Sequence, residues 1–317
     1  MACVLIVTAS TDQHAMVVEK RLRRDGHTVT WVDIAEFPAD STIAATLNAK
    51  GAWRATWDTG DRTINLSKVD CAWLRRPGVF RVEADMSGGM RDFCLAEARL
   101  GFGGVLAHLK WLSHPFAIAE AEYKPRQLSA AVASGLLVPP TTVVNSFDAA
   151  ERFIVKHGPA VAMKPFTQGA VDHNGTRGVI YTTRITLPQL GPSIARTAHL
   201  LQAWIEPAAV IRATVVDDQV HAASVVPDSD TAKIDYRRDL DGCTVTGYDL
   251  PARVAVGLVK TVKRLGLRFS TADVILDHEG RYWFIDLNPN GQWLWVEEMT
   301  EAPIAEAIAS ALTRPPT

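Results

Sequence analysis

The sequence predicts a mixed α/β protein of two or three lobes, and two stretches carry the mixed class. At the start, Cys3–Thr8 is a short all-apolar run, as in a strand buried on both faces. Gln13–Asp25 follows with Met16, Val17 and Leu22 at roughly helical spacing and Gly26 as a stop, and His27–Val32 alternates apolar with polar. Strand, helix, strand in that order implies a parallel sheet. Near the other end, Ala272–Asp277 and Arg281–Leu287 are apolar strands, and Asp277-His278-Glu279-Gly280 between them is turn chemistry.

At 317 residues the chain is long enough for two or three lobes with sizeable cores. Lys+Arg 33 against Asp+Glu 35 leaves a formal charge of −2, so no global field points to nucleic acid or to a membrane surface. Cys3, Cys71, Cys94 and Cys243 are scattered without a C-x-x-C pair, which argues against a disulfide framework or structural zinc and fits a reducing cytoplasm. No apolar run is long enough to span a bilayer. The opening MACVLIVTAS has no basic region before its apolar run and reads as a strand rather than a signal peptide.

Along the chain, a dinucleotide site after the first strand is rejected, because Thr8-Ala9-Ser10-Thr11-Asp12 offers no glycine where pyrophosphate approaches backbone. Ala52–Leu66 reads as a small hairpin and Val69–Leu74 as a further strand. Arg75-Arg76-Pro77 ends it with two cations, by default a solvated pair, at the strand end where open α/β sheets place ligands. Phe93–Leu112 has a long helical pattern weakened by Gly101, Gly103 and Gly104. Ala119–Ala133 reads as one helix carrying Lys124 and stopped by Gly135, and the next helix starts near Ser146, where Ser146 or Asp148 can cap.

Ala160–Pro165 is a buried-looking strand with Lys164 at its end, and a lysine there is costly to desolvate unless it meets an anion. Thr167–Gly178 is a glycine-dotted loop of the sort that can cover phosphates. Leu200–Ile205 is a short strand. Val210–Val216 and Gln219–Val225 form a hairpin with Arg212 inside it, where an unpaired guanidinium would be costly. Val254–Leu265 is an amphipathic helix ending at Gly266, and Ala302–Leu312 is a terminal helix.

The last hairpin holds the chemistry. Asp286 and Asn288 lie two apart and so share a strand face. With a four-residue loop Asp273 pairs opposite Phe284 and joins that face; a loop one residue shorter sends it to the other side. Two carboxylates and an amide are oxygen-only ligands, suited to Mg²⁺ carrying phosphate oxygens. The plainer alternative is an acidic strand end and a solvated Asx turn.

Taken together, these residues resemble an ATP-grasp ligase: Lys124, Lys164, the glycine loop, Gln202-Ala203-Trp204-Ile205, Arg212, and Asp273 with Asp286-Leu287-Asn288. More narrowly the chain is similar to the graspetide (microviridin-type) synthetases, especially those of actinobacterial peptide-maturation clusters. That narrower likeness rests on Trp73-Leu74-Arg75-Arg76-Pro77, the run from His114-Pro115 to Tyr123-Lys124-Pro125-Arg126-Gln127-Leu128, Asp235-Tyr236-Arg237 and, above all, Asn288-Pro289-Asn290-Gly291-Gln292-Trp293-Leu294-Trp295.

The resemblance implies an ATP-grasp fold with an N-terminal α/β pre-ATP-grasp domain over residues 1–114, a central ATP-grasp lobe over 115–199 and a C-terminal lobe over 200–317. It implies that Lys124 and Lys164 bind ATP phosphates, that Gln202 and the backbone of Ala203, Trp204 and Ile205 meet adenine, and that Glu206 meets ribose. It places Mg²⁺ on Asp273, Asp286 and Asn288, and the acidic side chain to be activated on Arg212 and Arg237, with Asp235 either a base or an orienting partner of Arg237. Two departures stand out: Val210 where many relatives have an acidic residue, and Asp286 where many have glutamate.

The implied reaction joins Asp or Glu side chains of a ribosomal precursor peptide, leader plus core, to Ser/Thr hydroxyls or Lys amines in a cytoplasmic, homodimeric enzyme. A carboxylate becomes an acyl donor only once its oxygen is turned into a phosphate leaving group. Bringing one anion against another makes charge neutralisation and alignment the main tasks. Two rivals are a ligase adding a free amino acid to an acidic acceptor and a nucleotide-binding regulatory module without turnover. The second has no need of Arg212 and Arg237.

Overall fold

The computed structural model describes residues 1–167, 170–173 and 176–314. The opening strand Cys3–Val7 lies between Thr28–Val32 and Cys71–Leu74, parallel to both, as the strand-helix-strand pattern requires. Its helix Gln13–Arg24 is capped by Asp12, whose Oδ1 accepts the His14 and Ala15 N–H groups, and Gly26 leaves it at φ +80°. Glycine adopts that backbone without the Cβ penalty other residues meet.

Each face of this sheet is covered differently. Val4 and Ile6 pack with Val18 and Leu22 of the helix, and also with Ile304, Ile308 and Leu312 of the helix Ile304–Thr313. Leu5 and Val7 face Trp57, Phe102 and Leu106. The first strands and the last helix therefore share one core.

Trp53–Asp58 and Thr63–Asn65 form the expected hairpin, but Thr42–Leu47 adds a third antiparallel strand that its weak alternation hides. The long pattern after Phe93 is interrupted. Helix runs over Gly88–Glu97, a wider π turn over Ala98–Phe102 and helix again over Gly103–Ala107.

The helix expected over Ala119–Ala133 is two helices, Pro115–Ala121 and Lys124–Ala133. Pro125 explains the break, since proline suits a first helical turn and disrupts an interior. Lys124 consequently starts a helix instead of sitting within one. Ser146, not Asp148, caps Phe147–His157 by accepting the Ala149 N–H.

Two sheets frame the remainder. A four-stranded sheet is ordered Thr183–Thr186, Ala160–Lys164, His199–Ala203, Thr141–Val144 and is backed by the helix Phe147–His157. A five-stranded antiparallel sheet is ordered Cys243–Gly247, Gln219–Pro227, Pro207–Val216, Phe269–Asp277, Tyr282–Asn288. It is backed by Lys124–Ala133 and Ala252–Arg264, with Leu128, Leu258, Val262, Val274 and Phe284 between them. The glycine-dotted segment forms a two-stranded ribbon, Ala170–His173 with Thr176–Val179. Gln168, Gly169, Asn174 and Gly175, part of the loop expected to cover phosphates, lie outside the described residues.

The last hairpin corrects one expected pairing. Asp273 faces Asp286, not Phe284. The loop is three residues, because the Asp277 N–H already bonds the Arg281 carbonyl, with Gly280 at φ +78° closing the turn. That shorter loop alone would leave Ile285 opposite Asp273. A bulge at Ile285 shifts the register, with Val274 opposite Phe284 and Asp273 opposite Asp286. Phe284 and Leu287 enter the core, while Asp273 and Asp286 share the other face.

Candidate active site

A cavity of about 320 Å³ opens between the four-stranded and five-stranded sheets. Its polar lining includes Lys124, Lys164, Gln202, Asp235, Arg237, Asp273 and Asp286, and Ile180, Ile205, Ile275 and Ile285 add apolar wall. A mostly apolar pocket with a few convergent charges is the usual form of a nucleotide or small-molecule site.

Asp286 is its electrostatic centre. Lys124 Nζ lies 2.5 Å from Asp286 Oδ1. Burial pushes the Asp286 carboxyl up, but Lys124 and Lys164 outweigh burial and hold it below its ordinary value. Lys164 Nζ donates to Gln202 Oε1 at 2.7 Å and to the Ile285 carbonyl at 3.2 Å. Burial lowers the Lys164 ammonium to about 8, with Asp286 opposing the shift and Lys124 adding to it. Gln202 is fixed at its other end by Nε2 donating to Thr141 Oγ1 at 3.0 Å.

The Asp286 strand is a sheet edge, and its outward backbone groups must still be paired. Gln127 supplies two of the pairings. Its Nε2 donates to the Leu287 carbonyl at 2.8 Å and its Oε1 accepts the Leu287 N–H at 3.1 Å. The Phe284 N–H donates to the Leu137 carbonyl at 2.8 Å. One buried amide thus locks the backbone between Asp286 and Asn288 to the helix that carries Lys124.

Asp273 is held from behind. Its Oδ1 accepts from Arg212 Nη1 at 3.1 Å and from the Tyr236 hydroxyl at 3.1 Å. Burial opposes charge on Arg212, but Asp273 more than compensates and the net shift is upward. Burial and Asp273 together push the Tyr236 hydroxyl well up, so it stays a donor. Arg212 does not line the cavity; it braces Asp273 and donates through Nη2 to the Gln292 carbonyl at 3.0 Å. This settles its orientation without the acidic residue that Val210 replaces.

Arg237 does line the cavity, and Asp235 orients it. Asp235 Oδ1 accepts from Arg237 Nε at 2.7 Å, and Asp235 Oδ2 pairs with Nη2 of the same fork. That forked pairing raises the Arg237 guanidinium pKa further. Asp235 Oδ2 also accepts the Thr182 N–H at 3.3 Å. Both carboxylate oxygens serve binding partners, so the orienting alternative fits better than a free base.

Ala203, Trp204 and Ile205 line the cavity, while Glu206 sits outside the lining with its Oε2 accepting from Trp204 Nε1 at 2.8 Å. Asn288 also lies off the lining, and its Oδ1 accepts the Asn290 N–H at 3.0 Å. The Asx turn considered from sequence is therefore present, two residues along the strand from Asp286. Sequence reasoning missed Tyr236, Gln127 and Tyr181, over whose ring Arg237 and Arg238 lie at 5.9 Å and 5.7 Å. Tyr236 and Gln127 stood within quoted motifs, and nothing in their spacing marked them for burial.

Among the described residues no group of three or more His, Cys, Asp and Glu is placed to hold a metal ion. The donor chemistry nevertheless fits magnesium: Asp273 and Asp286 face each other across paired strands, and both are oxygen donors. Mg²⁺ usually takes only one or two protein carboxylates and fills its other positions with water and phosphate.

The model of the MvdD pre-ATP grasp domain matches residues 3–119. No curated protein matches the chain. Among solved structures, a Chryseobacterium gregarium RiPP-associated ATP-grasp ligase in complex with ADP and a leader and core peptide superposes with a TM-score of 0.89 at 25% identity, over 98% of this chain and 96% of that one. The macrocyclase MdnB from Microcystis aeruginosa MRC gives 0.82 at 26%, over 99% of each chain. The ATP-grasp ligase PsnB, complexed with a phosphomimetic variant of its minimal precursor, Mg and ADP, gives 0.77 at 22%, over 98% and 97%. That third likeness speaks for the fold alone. By fold and by the charges gathered in its cavity, the chain is an ATP-grasp ligase with an MvdD-type pre-ATP-grasp domain, and its resemblance to the graspetide synthetases runs from end to end.

Proposed function

We propose that this ligase cyclises a ribosomally made precursor peptide, joining Asp or Glu side-chain carboxylates to Ser/Thr hydroxyls or Lys amines at the expense of ATP. The observation that carries the reading is one cavity holding Lys124, Lys164, Arg237, Asp273 and Asp286, in a chain matched over its length to a ligase solved with ADP, leader and core.

In this reading Lys124 and Lys164 neutralise the phosphates. Gln202 and the backbone of Ala203–Ile205 receive adenine, with Glu206 at the ribose. Asp273, Asp286 and Asn288 would hold the magnesium ion, which would supply charge neutralisation on the phosphate oxygens. Arg237, fixed by Asp235, forks the precursor carboxylate. Arg212 acts through Asp273.

A carboxylate oxygen of the precursor bonds to the γ-phosphorus and ADP leaves with the bridging oxygen. The hydroxyl or amine then attacks the acyl carbon, and phosphate departs as the nucleophile gives up its proton. Almost all of this is positioning and charge compensation. The domain limits 1–114, 115–199 and 200–317, a homodimeric state and a cytoplasmic setting belong to the same reading. Three observations support the setting: among the described residues no helix is long and apolar enough to cross a membrane, the formal charge is small and the four cysteines are free.

The test is mass spectrometry of a precursor carrying Ser/Thr and Asp/Glu, incubated with the protein, ATP and Mg²⁺. Loss of one water per bond, with matching ADP release, is expected. A gain of residue mass, or nucleotide binding without precursor-dependent phosphate release, overturns it.

A further inference from the structure

Arg75 directly follows the strand Cys71–Leu74, which belongs to the parallel sheet and not to either sheet that forms the cavity. Its side chain is fully buried nonetheless. Arg75 Nη1 donates to the Asn290 carbonyl, 215 residues along the chain, and its Nε lies 3.5 Å from Asp12 Oδ2. Asp12 is itself fixed as a helix cap and by accepting from Thr8 Oγ1 at 2.9 Å.

From the other side, Arg212 Nη2 donates to the Gln292 carbonyl. Two guanidinium groups therefore hold carbonyls two residues apart. Between them Gly291 packs so tightly that an added Cβ would fall 1.6 Å from Thr271 Oγ1. In the same turn the Asn290 N–H bonds Asn288 Oδ1, and the His14 ring stands edge-on to Trp293 at 5.1 Å between centroids.

A guanidinium this deep is expensive, and burial lowers its pKa to about 10 against the pull of Asp12. An apolar side chain would fill the same space at less cost. What it could not do is fix the Asn290 carbonyl.

We propose that Arg75 is a positioning residue for the ligase reaction: by holding Asn290 it sets the turn that follows Asp286 and Asn288, and so makes the N-terminal sheet part of the metal–nucleotide site. The inference rests on the metal ligands assigned under Proposed function. Arg75 does not line the cavity and acts through the backbone, as outer partners of metal ligands do when their loss costs about 10–100-fold in metal affinity.

The test uses the full chain with Mn²⁺ as the probe. Arg75→Lys keeps the charge and loses the fork, Arg75→Met keeps the bulk, and Asp12→Asn keeps the helix cap while removing the counter-charge, so a poorly folding Arg75 variant leaves a second route. ADP affinity in chelator, and Mn²⁺ affinity of the ADP complex by electron paramagnetic resonance, are measured for each. The expected result is ADP binding within about twofold of the parent without metal and Mn²⁺ affinity weaker by about tenfold or more in Arg75→Lys and Arg75→Met, less in Asp12→Asn. Unchanged Mn²⁺ affinity in folded variants, or equal loss of ADP affinity with and without metal, overturns the role of Arg75. Asp286→Asn is the separate control: if it leaves Mn²⁺ binding intact, the metal-site reading fails, whatever Arg75 does.

Discussion

Asp273 and Asp286 stand opposite each other on paired strands because a bulge at Ile285 offsets a three-residue loop. Neither feature alone sets both carboxylates toward the cavity. Their surroundings then divide them, since Asp273 is braced by Arg212 and Tyr236 while Asp286 meets Lys124 at the start of the helix Lys124–Ala133.

Removing the Asp286 charge should therefore strike chemistry before stability. Asp286→Ala is expected to lower precursor-dependent ADP release by about 10²–10³, the usual effect of losing one electrostatic group at a transition state. The variant should keep the parent's circular dichroism. Near-parental turnover would remove Asp286 from the site.

Asp235 tests orientation against base catalysis. Asp235→Asn retains an acceptor for Arg237 but loses the paired charge. An orienting role predicts a higher KM for precursor and an unchanged pH profile. Disappearance of the acid limb of kcat would instead make Asp235 the base.

Gly291 is constrained by space, not by backbone angle. In Gly291→Ala the new Cβ would lie 1.6 Å from Thr271 Oγ1 and 2.6 Å from its Cβ. Overpacking of this kind costs about 1–3 kcal/mol, read as a lower urea midpoint. Adding Thr271→Gly should recover much of it; no recovery would place the strain elsewhere.

Asp277 gives the hairpin a pH dependence. Burial raises its carboxyl, but Trp283 Nε1, the Arg281 side chain, and the Arg281 and Glu279 N–H groups all donate to it and hold it far below the usual range. A depressed folded pKa means that this stability is fully present above the unfolded value of about 3.9 and is lost as pH falls toward the folded one. Asp277→Ala should cost about 1–3 kcal/mol at neutral pH. Chemical denaturation should show the gap to the parent narrowing below pH about 4. A constant gap would rule out the charge as its source.

Much of this was legible in the residues. The β-α-β opening, the terminal hairpin and Lys164, Asp273 and Asp286 announce themselves through periodicity and through charges that an apolar strand end does not otherwise tolerate, whereas Lys124 is marked only by the family resemblance. The rest depends on partners far away in the chain. Ile285 looks like any strand residue, and the bulge appears only against Asp273. Arg75 beside Arg76 reads as a solvated pair until Asn290, 215 residues later, is seen to bury one of them. Thr42–Leu47 and Thr183–Thr186 are half-exposed strands with little apolar pattern, held mainly by their neighbours' ladders.

The core common to the opening strands and the helix Ile304–Thr313 has a consequence during synthesis. A nascent chain emerging from the ribosome presents Val4 and Ile6 long before the helix that completes their cover is made. Until then this apolar face is open to chaperones, and a fragment cut before Ile304 should be retained by them instead of released as a folded unit.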